Sequence, residues 1–173
     1  MEEKSRKLSD SIAALQHEDY CRIWQLVKGG GLKNLEGVDR AVGQLMLEHP
    51  QYQYFWEIPH AFANIEREKA MEGEGVNPDA HLAVEASVLE QVETGDPPQA
   101  AKAYKALLEA GIEPHEARHT LARVVGELWL KVIRMHNKRQ RLDADAYVRE
   151  LERVAKHPVK VYNEQVKKIQ KGL

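Results

Sequence analysis

The sequence predicts an all-α fold: a single-domain bundle of mostly antiparallel, short-loop helices, with two further amphipathic helices at the C-terminus. Three observations carry this. Apolar residues recur at three- and four-residue intervals in the long segments. No segment alternates apolar and polar residues as a half-buried strand would, and glycine and proline fall between the periodic stretches.

The elements follow in order. Leu8, Ile12, Leu15, Ile23 and Leu26 mark a helix over 8–28, stopped by Gly29-Gly30-Gly31. Leu35, Val38, Val42, Leu45 and Met46 mark a second, ended by Pro50, which lacks the amide a helix interior needs. From Gln51 to Met71 the aromatic run Tyr52, Tyr54, Phe55, Trp56 and the interruption at Pro59 predict two helical pieces. Asn77-Pro78 is a strong start signal, because Asn caps a helix and Pro suits its first position, and the helix it opens runs to about residue 93. Gly95-Asp96-Pro97-Pro98 breaks that helix and starts another with Ala100, Ala103, Tyr104 and Leu107 as its buried stripe. Gly111 stands where a C-terminal cap belongs, and Pro114 opens the longest helix, to about Asn137. Tyr147, Leu151 and Val154 mark one further helix, and Val159, Tyr162, Val166, Ile169 and Leu173 mark the last, after His157-Pro158.

Composition bounds the class of protein. A chain of 173 residues with 43% hydrophobic and 30% charged residues is globular rather than disordered. No stretch approaches the roughly 18 apolar residues of a membrane span, and Met1-Glu-Glu-Lys-Ser-Arg lacks the apolar core of a signal peptide. One cysteine, Cys21, excludes an intrachain disulfide and a multi-cysteine zinc site, suits a reducing compartment, and is read as core packing. The expectation is a cytoplasmic protein without a membrane partner.

Charge is uneven. Residues 1–130 hold 13 Lys/Arg against 22 Asp/Glu, whereas residues 131–173 hold 12 against 5. This suggests a helical core over 1–137 and a basic C-terminal appendage over 138–173, packed on the core or extending from it. Lys131, Arg134, Lys138, Arg139 and Arg141, with Lys167, Lys168 and Lys171, could meet an anionic partner such as nucleic acid. The plainer reading is a solvated mixed-charge face balanced by Glu150, Glu152 and Glu164. A homo-oligomer is a further option.

The central segment carries several short motifs in order: His49-Pro50-Gln51-Tyr52, then Val76-Asn-Pro-Asp-Ala-His-Leu-Ala-Val-Glu85, Glu90-Gln91, Asp96-Pro-Pro98, Pro114-His-Glu-Ala-Arg-His119 and Gly126-Glu-Leu-Trp129. In this the chain resembles a bacterial family, domain of unknown function 1841, over roughly residues 38–135. The resemblance implies two histidines four apart on the first of these helices; here the first is His81 and Glu85 takes the second place. A carboxylate in place of an imidazole keeps a metal donor but changes which metal it suits. The resemblance implies no activity, and the helices after about residue 138 lie outside it.

The chemistry is therefore argued from residues. His115-Glu116-Ala117-Arg118-His119 fits the H-E-x-x-H pattern, in which histidines four apart leave one helix face and can share a metal ion. His81 and Glu85 repeat that spacing, with one short helix between the two pairs. If three consecutive helices alternate up and down, the first and third run parallel and both pairs lie at the same end. The expected site is thus His81, Glu85, His115 and His119, holding zinc, iron, manganese or nickel, with Glu116 as general base or hydrogen-bond support and metal-dependent hydrolysis as its reaction.

Other readings stand beside it. Histidines near a helix start are often solvent-facing, Glu85 could be a surface residue, and helix N-termini favour anions over cations. A zinc peptidase would need a third ligand, and Glu127 lies about 12 Å further along the helix than His119. A di-metal carboxylate bundle would need a partner for Glu116-x-x-His119, and the only other match, Glu57-x-x-His60, contains Pro59. No phosphate-binding loop, calcium loop or Ser/Cys nucleophile motif is evident in the sequence. Tyr52 to Trp56 and Trp129 read as core anchors. The alternative class is a non-catalytic interaction module, using the basic C-terminal helices to bind a protein or nucleic acid.

Overall fold

The structure is a computed structural model, and it describes residues 15–57, 77–134 and 144–171. Among these there are eight α-helices and no strand, as the apolar spacing predicts. They are α1 (His17–Lys28), α2 (Gly37–Glu48), α3 (Gln53–Glu57), α4 (Pro78–Thr94), α5 (Pro98–Glu109), α6 (Pro114–Arg134), α7 (Ala144–Lys156) and α8 (Pro158–Gln170). Short 3-10 turns, Gly31–Asn34 and Pro50–Tyr52, precede α2 and α3. The expected second helical piece before Met71, Pro59 and the start of the first predicted helix lie outside the described residues, as do the side chain of Trp129 and residues 135–143.

Helix ends fall where their capping chemistry puts them. The Asn77 side-chain oxygen accepts from the Asp79 amide at 2.9 Å and the Ala80 amide at 3.3 Å, satisfying two of the amides that the first turn of α4 leaves without a carbonyl. At the end of α5, Gly111 adopts φ 81°, a left-handed conformation that glycine reaches without a Cβ penalty. The Gly111 amide then bonds Leu108 O at 2.9 Å and the Ile112 amide bonds Leu107 O at 3.1 Å, which closes the helix.

Packing divides the chain into two compact units, Met1–Ser87 and Val88–Leu173, with the division inside α4. In the first, α1 presents Tyr20, Ile23, Trp24 and Val27 to Val42, Leu45 and Met46 of α2, to Phe55 and Trp56 of α3, and to Leu82 and Ala86 of α4. The aromatic run splits: Phe55 and Trp56 are buried and Tyr52 partly so, but Tyr54 is 68% exposed, a correction to its expected place in the core. On a helix as short as α3 only one face can be covered.

In the second unit, α5 and α7 make the most extensive helix pair. Ala100, Ala103 and Leu107 meet the stripe Tyr147, Leu151 and Val154, and α8 is pinned to α6 by the Gln165 side-chain amide donating to Thr120 O at 3.1 Å. Tyr147 donates its hydroxyl to the Gln91 side chain at 2.5 Å. The last two helices are therefore built into this unit's packing. No helix among the described residues is long and apolar enough to cross a membrane.

Candidate metal centre

The first unit gathers two histidines and a glutamate, side chains of types that can ligate metals, from α4 and the end of α2. His49 is the C-cap of α2, where Pro50 prevents another helical turn, and it is fully buried. Its Nδ1 lies 2.8 Å from the carbonyl oxygen of Leu45, one turn back. A carbonyl only accepts, so Nδ1 carries the proton and Nε2 of the neutral ring presents a lone pair. Tyr52 stacks on the ring with centroids 5.8 Å apart and planes 8° apart, which holds its orientation.

That lone pair faces a carboxylate and a second imidazole. Glu85 Oε2 lies 3.1 Å from His49 Nε2, and His81 Nε2 lies 3.1 Å from the same nitrogen. His81 Nε2 and Glu85 Oε2 are 3.8 Å apart, across the i, i+4 spacing of α4. Glu85 is fully buried, so its reading as a surface residue is overturned, while His81 remains partly open with a side chain 19% exposed. The helix-dipole objection also weakens, because His49 brings the C-terminal end of α2, whose partial negative charge favours a cation.

Burial works against charging His49, but hydrogen bonds to Glu85 and the Leu45 carbonyl, with the charges of Glu85 and Glu48, outweigh it and hold the ring above the ordinary imidazole range. A proton or a cation at this position thus relieves two electron-rich atoms brought together in a dry environment. Around one four-coordinate ion with bonds of roughly 2.1 Å, neighbouring donors stand about 3.4 Å apart, a value the three separations bracket. His49, His81 and Glu85 form a His/Glu cluster that could hold a metal ion.

In the second unit, α6 brings His115 and His119 together with ring centroids 4.1 Å apart, as four-residue spacing requires. Both are half-buried, and the Arg118 guanidinium lies 3.4 Å from His115 Nδ1. Glu116 is half-buried too; its carbonyl accepts the Thr120 hydroxyl at 2.8 Å and its carboxylate acts electrostatically on Arg123. Glu57 lies in α3, donates nothing to the cluster, and pairs with Lys28 at 2.6 Å; His60 is outside the described residues.

Sequence spacing found His81 and Glu85 as a pair and His115 and His119 as a pair, but it missed His49. A lone histidine ahead of a proline has no partner at helical spacing, and only folding of α2 beside α4 gives it one. The signal that could have found it is its place in the His49-Pro50-Gln51-Tyr52 motif.

The fold and the cluster define a helical protein with a histidine- and carboxylate-lined centre. The chain belongs to the family described as domain of unknown function DUF1841, which matches residues 16–153. This span is longer than the 38–135 expected from the order of the motifs: it takes in α1 and most of α7, so α7 is not outside the family region. No curated protein and no solved structure matches the chain.

Proposed function

We propose that this protein binds a divalent first-row transition metal through His49, His81 and Glu85, and that the centre serves a hydrolytic reaction. The observation that carries the reading is the buried lone pair of His49, aimed at the Glu85 carboxylate and the His81 imidazole with its tautomer set by Leu45 O. Imidazoles with one carboxylate suit zinc and are acceptable to iron, manganese or nickel.

A bound divalent metal supplies Lewis acidity for attack by water at neutral pH. The protein's own residues then have separable tasks. Glu85 supplies the anionic charge that a buried cation requires, and Leu45 O holds His49 in its donor tautomer.

The test is metal content by mass spectrometry on the untagged full chain after loading with zinc, iron, manganese and nickel in turn. The parent should hold a metal stoichiometrically, and His49→Ala and Glu85→Gln should each lose most of it. Substoichiometric metal in the parent, or full retention in Glu85→Gln, overturns the reading.

A further inference from the structure

A second chemical constellation lies in the first unit, apart from the residues assigned to the metal. His17 and Cys21 stand four apart on α1, and the Cys21 sulfur lies 3.4 Å from His17 Nε2. On the other side of the ring, His17 Nδ1 lies 2.9 Å from Asp79 Oδ2. Asp79 is held in turn by Trp56, whose Nε1–H donates to Oδ1 at 3.0 Å. His17 and Asp79 are buried, Cys21 is half-exposed, and the Phe55 ring packs edge-on against His17 at 4.8 Å.

The order thiol, imidazole, carboxylate fixes the direction in which a proton can move. Asp79 accepts from Nδ1–H, so Nε2 of the neutral ring is the acceptor that meets the S–H group. A nucleophile beside a base that a third group orients is the arrangement that activates otherwise weak nucleophiles. Burial and the carboxylates of Asp79 and Glu18 push the Cys21 thiol up, so little thiolate stands free at rest and reaction depends on passing the proton to His17.

We propose that Cys21 is a base-assisted thiol that reacts with hydroperoxides, with His17 as the base and Asp79 as the residue that positions it. Sulfur attacks one peroxide oxygen while His17 Nε2 takes the thiol proton. The S–O bond forms as the O–O bond breaks, and the departing oxygen, hydroxide from hydrogen peroxide or alkoxide from an organic hydroperoxide, collects the proton from His17 and leaves as water or the alcohol. Sulfur is oxidised by two electrons to the sulfenic acid and the peroxide is reduced. A small hydroperoxide suits this thiol because the reaction asks one imidazole both to remove a proton and to return it, and needs no contact beyond the reacting oxygens. The chain has one cysteine, so no intrachain disulfide can follow, and an external thiol must restore the reduced form.

The test uses the full chain in the presence of a chelator, with hydrogen peroxide as oxidant and dimedone to trap the sulfenic acid, followed by intact-mass spectrometry. Cys21 should form one adduct, absent in Cys21→Ser, at a rate about a hundredfold above that of glutathione under the same conditions, the lower end for positioned acid–base assistance. His17→Gln should lose that advantage. Asp79→Asn should lose it too, and nitrogen-15 NMR should show His17 protonated at Nδ1 in the parent and at Nε2 in the variant. The comparison with glutathione needs no folded variant: a parent rate at or below glutathione's overturns the proposal, as does an undiminished rate in folded His17→Gln.

Discussion

His49 Nε2 and Glu85 Oε2 stand 3.1 Å apart with both side chains fully buried, although 36 positions separate them in the chain. Helices α2 and α4 place an acceptor lone pair against a carboxylate in the first unit's interior. Such a contact needs a proton between the two groups or a metal ion. The expected behaviour of the centre follows from which of these is there.

Glu85→Gln keeps the shape of the side chain and removes its charge. In metal-free protein the variant should lose roughly 3 kcal/mol of stability, because breaking one side of a buried pair leaves its partner uncompensated. Urea unfolding with chelator present measures this. A loss below about 1 kcal/mol would mean that His49 is not held as a charged partner.

The raised pKa of His49 sets the direction of the pH response. A folded-state value above the unfolded value of about 6.5 means that the stabilisation is fully present below that pH and is lost as pH rises through the folded-state value. The stability difference between metal-free parent and His49→Gln should therefore shrink on going from acid to mildly alkaline pH. Metal competes for the same lone pair, so affinity should rise over this window. Isothermal titration at several pH values checks it; affinity independent of pH would separate His49 from the metal.

Leu151 is fully buried on α7, in the stripe that meets α5. Leu151→Ala should cost about 2–5 kcal/mol, the range for truncating a buried leucine. Thermal unfolding followed by circular dichroism reads it. A near-zero cost would make α7 a loosely attached element rather than part of the second unit's core.

Two of the positive charges described on the last two helices, Arg153 and Lys168, are held by carboxylates. Arg153 meets Glu150 at 2.9 Å and Glu164 at 3.0 Å, and Lys168 meets Glu127 at 2.7 Å. Electrophoretic mobility shifts with duplex and single-stranded DNA at about 150 mM salt should show no retention, since phosphate contacts through Arg153 and Lys168 must first displace a carboxylate and salt screens the exposed charges. Retention that falls steeply with salt would instead support the interaction-module reading.

The elements of this protein were legible from local chemistry. Pro78 behind Asn77, Gly111 after α5 and the four-residue apolar spacing of α7 each act within a few residues, so the sequence alone locates α4, the end of α5 and α7. The same locality made His81 with Glu85, and His115 with His119, visible as pairs. A helix fixes which side chains four apart share a face whatever surrounds it.

Burial and long-range partnership were decided only by tertiary packing. Spacing from His81 singles out Glu85 but does not say that it is buried while Glu93 is exposed, yet Glu85 is fully buried against a histidine from another helix. Cys21 reads as ordinary core filling until Asp79 arrives from α4 to orient His17 beside it. The division inside α4 has the same origin: helical spacing records the turns of one helix, whereas the partners of its two halves depend on which neighbours fold against each. Local backbone sterics and hydrogen bonding determine the helices, and packing among residues distant in the chain determines which of their polar side chains are left facing one another out of water.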